Sequence, residues 1–247
     1  MLPINDKRIE EQSAFFQKRN EPNFAWVNAI GAACMFPQLR GFWPMSTVAS
    51  GGNVIDHSNL GKTLTNHSIT FGLTGLVPYA ILNGAAWLDR ADEADLDITG
   101  ALAMCGWYYF TANPAAVALM CKFGAAGQYG YAMLTIANKL RLSLSVDGTA
   151  VAFIDSVTPL TTGVWTFCAV RYVPSVSMSV LVNKEWTRTV AGVPAGIFNN
   201  TTLFEIGRVT AALYMTGYST LNILAANAAS EVIINSYYEQ TRALFGR

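Results

Sequence analysis

Residues 161–183 read TTGVWTFCAVRYVPSVSMSVLVN, two runs of alternating large and small side chains separated by Pro174 and Ser175. Trp165, Phe167, Ala169 and Arg171 alternate with Thr166, Cys168, Val170 and Tyr172, so bulk falls on both sides of the first run. Successive side chains of a strand point to opposite faces, and a strand with apolar bulk on both faces is covered on both. The stretch predicts a hairpin built into the wall of a layered β-structure.

Strand-sized segments closed by Gly, Asn, Asp or Pro surround it, at 42–48, 68–72, 78–83, 86–90, 101–110, 116–123, 129–136, 139–146, 150–155, 164–173, 176–183, 186–190, 202–207 and 213–224. Turn residues at such regular intervals mark an all-β sandwich or barrel. Period two is clearest in KLRLSLSV, residues 139–146, where Leu140, Leu142, Leu144 and Val146 face a core while Arg141, Ser143 and Ser145 face water. The period changes at the end of the chain. In ASEVIINSYYEQTRALFG, Ile233, Tyr237 and Leu244 fall at helical intervals, with Ser230 placed to cap and Gly246 to stop a packed C-terminal helix.

The beginning is different again. Residues 6–18 suit one short helix, and 19–41 are mixed and interrupted by Pro22 and Pro37. The expected organisation is an N-terminal arm over 1–41 and a sandwich with a C-terminal helix over 42–247. The arm carries Phe15, Phe16, Phe24, Trp26 and Phe36, aromatic anchors of the kind that dominate interfaces when buried.

Only 13% of the 247 residues are charged, against roughly 25% in an ordinary soluble domain, and 16 basic residues balance 16 acidic ones. So little charge leaves apolar surface for a partner to cover and predicts a homo-oligomer, with a trimer expected, or a shell component. The balanced charge, with no basic run, argues against nucleic acid. The first twenty residues lack the apolar core of a secretory signal, and no apolar run reaches the roughly 18 residues of a spanning helix, so neither export nor a membrane is expected. Cys34, Cys105, Cys121 and Cys168 are scattered in apolar strings, which predicts buried free thiols.

An ordered set of motifs carries a resemblance: Asn83-Gly84, Trp87-Leu88, Gly106-Trp107, Lys122-Phe123-Gly124, Tyr131, Gly163-Val164-Trp165, Val182-Asn183 and Ile206-Gly207-Arg208. Over about residues 43–226 the chain resembles the laminin-G-like, or concanavalin-A-like, jelly roll. The stretches FWPMSTVASGGNVIDHSNLGKTLTN, GLVPYAILNG, LDRADEADLDITG and YYEQTRALFG are similar to tailed-bacteriophage virion proteins with this jelly roll, including decoration and tail-associated proteins. The resemblance implies a non-enzymatic virion protein, assembled in the host cytoplasm. The leading expectation is a capsid decoration or cement subunit that docks on the major capsid protein or other virion proteins through its arm. The alternative is a carbohydrate-binding module of a tail fibre or tailspike, for which Trp87, Tyr129, Trp186 and Tyr214 are the aromatic candidates. Trp107 and Trp165, in the Gly-Trp and Gly-x-Trp positions, are expected in the core.

Several patterns imitate chemistry. Glu93, Asp95 and Asp97 stand at period two, as in retaining glucanases related to this fold. The shorter Asp97 and the charge-dense DRADE before it instead predict a solvated turn with Leu96 plugging the sandwich. Asp56-His57-Ser58 holds the letters of a triad, but adjacent residues cannot adopt its geometry, and turn chemistry explains them. NLGKT at 59–63 lacks the first glycine of a phosphate loop, since position 56 is aspartate. His57 and His67 lack a zinc-ligand spacing, so no metal or other cofactor is assigned. Calcium remains as an alternative, because some laminin-G-like domains bind it through loop oxygens and Asp56, Asp89, Asp92, Asp95 and Asp147 are available.

Overall fold

A computed structural model describes residues 31–46, 52–210 and 212–247. The helix expected at 6–18 and the arm aromatics Phe15, Phe16, Phe24 and Trp26 lie outside the described residues.

Two antiparallel sheets pack face to face. The first contains β1 (Leu39–Trp43), β3 (Thr70–Thr74), β4 (Val77–Asn83), β6 (Leu102–Phe110), β11 (Trp165–Val173), β12 (Ser177–Val182), β13 (Glu185–Thr189) and β15 (Thr216–Ala225), in the order β13-β12-β11-β6-β15-β4-β3. β1 pairs with the second half of β15 and β4 with the first half. The second sheet runs β10 (Ala152–Pro159), β9 (Lys139–Leu144), β8 (Tyr131–Ile136), β7 (Ala116–Lys122), β14 (Phe204–Ile206), β5 (Trp87–Arg90) and β2 (Thr65–His67). A helix, α1 (Glu231–Thr241), followed by a 3-10 turn at Arg242–Phe245, closes the chain.

The hairpin at 161–183 forms as its alternation requires. Cys168, Val170 and Tyr172 of β11 and Met178, Val180 and Val182 of β12 enter the core between the sheets. Trp165, Phe167, Ala169 and Leu181 enter a second apolar layer on the other side of the same sheet. That layer is roofed by Ile234, Tyr237, Tyr238 and Phe245 of the C-terminal segment. Trp107 and Trp165 are buried, as expected, but in this outer layer rather than between the sheets. Ser230 caps α1, its hydroxyl accepting from Ile233 N at 3.3 Å, and Gly246 ends the segment at φ 68°. The buried stripe uses Ile234 where periodicity pointed to Ile233.

Some local expectations change. The strand expected at 42–48 is Leu39–Trp43, and it crosses the boundary drawn at residue 41. β2 carries only three residues and no apolar alternation, so nothing in the sequence marks it. In 139–146 the leucines face the core, but Ser143 and Ser145 are buried as well and Val146 is 52% exposed. Ser145 sits under the 145–150 turn, where its hydroxyl accepts from Gly148 N at 3.0 Å. Cys34 is exposed while Cys105, Cys121 and Cys168 are buried thiols. Phe36, a candidate partner anchor, is buried edge-on to Tyr237 at 5.6 Å, inside the layer beneath α1.

Candidate functional site: a groove on the open face of the second sheet

α1 covers the outer face of the first sheet. On the second sheet Leu88, Phe204 and Ile206 point into the core, which sends Trp87, Asp89 and Glu205 outward. Strict alternation would turn Arg208 inward. Gly207 prevents this: at φ 89°, a conformation that side chains with a Cβ resist, it ends β14, and a Cβ there would stand 2.2 Å from Leu82 Cδ2. The reversal brings Arg208 back onto the outer face, where its guanidinium lies 3.7 Å over the Trp87 ring.

Trp87 is enclosed. His67 stacks on its ring at 4.4 Å and 8°, from the strand on one side, and Arg208 covers it from just beyond the end of the strand on the other. Its indole N–H donates to Asp89 Oδ2 at 3.1 Å, and Tyr214 meets it edge-on at 6.0 Å. His67 Nε2 is 2.9 Å from the same Asp89 oxygen, close but without the alignment of a hydrogen bond. Arg208 donates from Nε to Glu205 Oε1. Burial by itself would lower the pKa of Arg208; hydrogen bonds to Glu205 and Tyr214 outweigh it and raise the pKa, so the cation is fixed.

Beside this stack runs a groove of about 330 Å³, lined by Thr201, Thr202, Leu203, Glu205, Arg208 and Thr210. Its far wall is tied to the loop of a second aromatic pair: Thr210 Oγ1 donates to Phe123 O at 2.9 Å, Thr201 N donates to Gln128 Oε1 at 3.0 Å, and Phe123 and Tyr129 stack at 4.6 Å and 11°. Of the aromatics singled out from the sequence, Trp87, Tyr214 and Tyr129 are not in the lining of this groove: Trp87 and Tyr214 reach it only through Arg208, and Tyr129 stacks on Phe123, whose carbonyl is held by Thr210. Trp186 is not in the lining either. It bridges β13 to α1, donating to Asn235 Oδ1 at 3.1 Å. Arg208 is legible in the sequence only as part of the Ile206-Gly207-Arg208 fold motif, and Glu205 and the three threonines are not singled out there, because a three-residue strand and its loop carry no binding pattern.

The acidic stretch 92–97 is a structural knot. Leu96 is fully buried in the core, as the turn reading required. Asp92 and Asp97 each lie 2.8 Å from Lys122 Nζ, which is 2% exposed. Lys122 also donates to the backbone and side-chain oxygens of Asn200. Glu93 and Asp95 hold Lys62 Nζ at 3.1 and 3.0 Å. Burial alone would lower the pKa of Lys62, but hydrogen bonds to Asp95 and Glu93 raise it, and Lys62 in turn holds Asp95 below the usual carboxylate range. Every carboxylate of the imitated catalytic run is therefore bound by a cation. Asp56 accepts from Phe42 N, Ser58 N, Ser58 Oγ and Lys62 N at 2.6 to 2.9 Å, which makes 56–62 a turn rather than a triad or phosphate loop. The five aspartates considered for calcium do not converge, and among the described residues no group of three His, Cys, Asp or Glu is placed to hold a metal.

No protein-family model matches the chain, and neither does the sequence of any curated protein. Solved structures do match in fold. The binding domain of Paraclostridial Mosquitocidal Protein 1 superposes with a TM-score of 0.64 at 11% identity, over 81% of this chain and 52% of that one. Domain 4 of AbnA, a GH43 extracellular arabinanase from Geobacillus stearothermophilus, in complex with arabinotriose, gives 0.62 at 15% identity over 82% of this chain and 99% of that one. The binding domain of botulinum neurotoxin DC in complex with SialylT gives 0.62 at 10% identity over 83% and 51%. The fold is that of these β-sandwich binding domains. This chain spans about half the length of the toxin domains and nearly all of the arabinanase domain.

Proposed function

We propose that this chain is a non-enzymatic carbohydrate-binding module that takes its ligand in the groove beside Arg208. The observation that carries this reading is the contrast between the two outer sheet faces: one is roofed by α1, and the other presents a groove with hydroxyls, a fixed guanidinium and the apolar Leu203. A sugar offers hydroxyls around a partly apolar ring, and a concave site with a few placed polar groups suits it. Arabinotriose on a sandwich of this size and fold supports the ligand class. The binding-domain character of the structural neighbours supports the absence of catalysis.

The setting we favour is a tail fibre or tailspike of a tailed bacteriophage, which rests on the sequence resemblance. The capsid-cement reading, with docking through residues 1–41, ranks behind it.

Calorimetric titration with a panel of oligosaccharides that includes arabinotriose tests the proposal. Saturable binding of at least one, abolished by Thr201→Trp in the groove wall and accompanied by no cleavage, is the expected result. A folded protein that binds no sugar of the panel, yet binds phage heads lacking it, overturns the reading in favour of cement.

A further inference from the structure

A second cleft lies on the opposite side of the sandwich, where the outer face of the first sheet runs out from under the start of α1. Strand register puts Arg171, Ser179 and Arg188 side by side across β11, β12 and β13, on the face that also carries Phe167, Leu181 and Trp186. The cleft measures about 340 Å³ and is walled by Arg171, Ser177, Arg188 and the first residues of α1.

Several donors at and beside the cleft have no partner among the described residues. Ser177 is fully buried, lines the cleft, and its hydroxyl has no hydrogen-bond partner; the Ser179 hydroxyl in the arginine row is in the same state. Shutting a hydroxyl away from water with no partner is costly, and two such groups beside two guanidiniums mark a place where acceptors are missing. Arg171 uses Nε on Ala229 O at 2.9 Å, which holds the side chain against the helix start and leaves its other nitrogens without a partner among the described residues. Arg188 is exposed and forms no ion pair among the described residues. Ser230 occupies Ile233 N, so the amide N–H groups of Glu231 and Val232 in the first turn of this 11-residue helix keep their donor capacity. The helix dipole adds positive potential at the same point. The Glu231 carboxylate is the opposing group; two guanidiniums against it leave a single positive charge.

We infer that this cleft binds a singly charged oxyanion group of a ligand, a carboxylate or a phosphodiester, between the Arg171–Ser179–Arg188 row and the N-terminus of α1. It stands on the face away from the Arg208 groove, so either site can fail without the other.

The test uses the full chain with sodium glucuronate and, separately, dimethyl phosphate, each followed through the backbone amide resonances of Glu231 and Val232. Saturable shifts with either probe are expected; the better probe distinguishes an acidic sugar from a phosphodiester polymer as the natural source. Charge-assisted hydrogen bonds of this kind are each worth about tenfold in affinity. Arg188→Ala, which removes an exposed side chain with no partner among the described residues, should therefore weaken binding about tenfold or more, and Ser177→Ala should weaken it less. Lys139→Ala, at an exposed lysine on the other sheet, should leave it unchanged. Shifts that do not saturate with either probe, or equal weakening by Arg188→Ala and Lys139→Ala, overturn the inference.

Discussion

Trp107, on the strand at the centre of the first sheet, donates its indole N–H to Thr241 Oγ1 at 2.9 Å, joining two points 134 residues apart. Its ring also stacks on Phe245 at 4.3 Å and on Tyr238 at 5.7 Å. The C-terminal segment is thereby a structural cover on the sheet, held at its end by this hydrogen bond, by Arg247 Nε donating to Trp165 O at 2.9 Å, and by a set of stacked rings.

Trp107→Phe keeps part of the stacking and removes the donor, so it should cost about 1–3 kcal/mol. Trp107→Ala should cost about 3–5 kcal/mol. Urea unfolding followed by far-UV circular dichroism measures both. A wild-type midpoint for Trp107→Ala would mean that the cover does not contribute to stability.

Lys122 grips Asp92, Asp97 and Asn200 from within the wall of the sandwich. Lys122→Met should be destabilising by about 3 kcal/mol, because it leaves partly buried carboxylates and an amide without their partner. The double variant Lys122→Met, Asp97→Asn should recover part of the loss. Equal midpoints for the single and double variants would show that the pair is not coupled.

Trp87 has both ring faces covered, by His67 and Arg208, and so acts on the groove through Arg208. Trp87→Ala should lower stability by about 2 kcal/mol and weaken sugar binding only as far as Arg208 loosens. Complete loss of sugar binding with unchanged melting would instead make the ring itself a ligand contact.

Acid stability has a definable origin in Asp147, whose hydrogen bonds from Thr149 N and Ala150 N lower its pKa to about 2 from an ordinary 3.8. A carboxylate with a depressed folded pKa contributes stability that is complete above its unfolded value and disappears as the pH falls through the folded one. The window is thus from about pH 4 down to about pH 2. Asp95 and Glu239, also lowered, act in the same direction. Melting temperature against pH should fall across this window, and Asp147→Ala should show a shallower acid limb. An unchanged limb would remove Asp147 from the account.

Burial pushes the thiols of Cys105, Cys121 and Cys168 above their ordinary range, while Cys34 is exposed. A thiol-specific reagent attacks the thiolate, so in the folded protein Cys34 should react quickly and the other three only after denaturant is added. Rapid reaction of a second thiol would show that one of the sheets opens.

The sequence by itself determined what depends on local alternation and turn chemistry. Bulk on both faces of 165–173 required two covering layers, Ser230 and Gly246 bracketed the C-terminal helix, and Leu96 in a charged turn had to plug the core; each of these is in the structure. Tertiary structure alone decided which distant side chains meet. Lys122 closes on Asp92, Asp97 and Asn200 because β7 and two loops converge at one corner of the sandwich. Arg208 joins Trp87 because a positive φ at Gly207 reverses the alternation of its strand. Arg171, Ser179 and Arg188 form a row through the register of three strands. Local sequence sets the face to which a residue points, whereas strand order and register set its neighbours, and these follow from the packing of the whole chain.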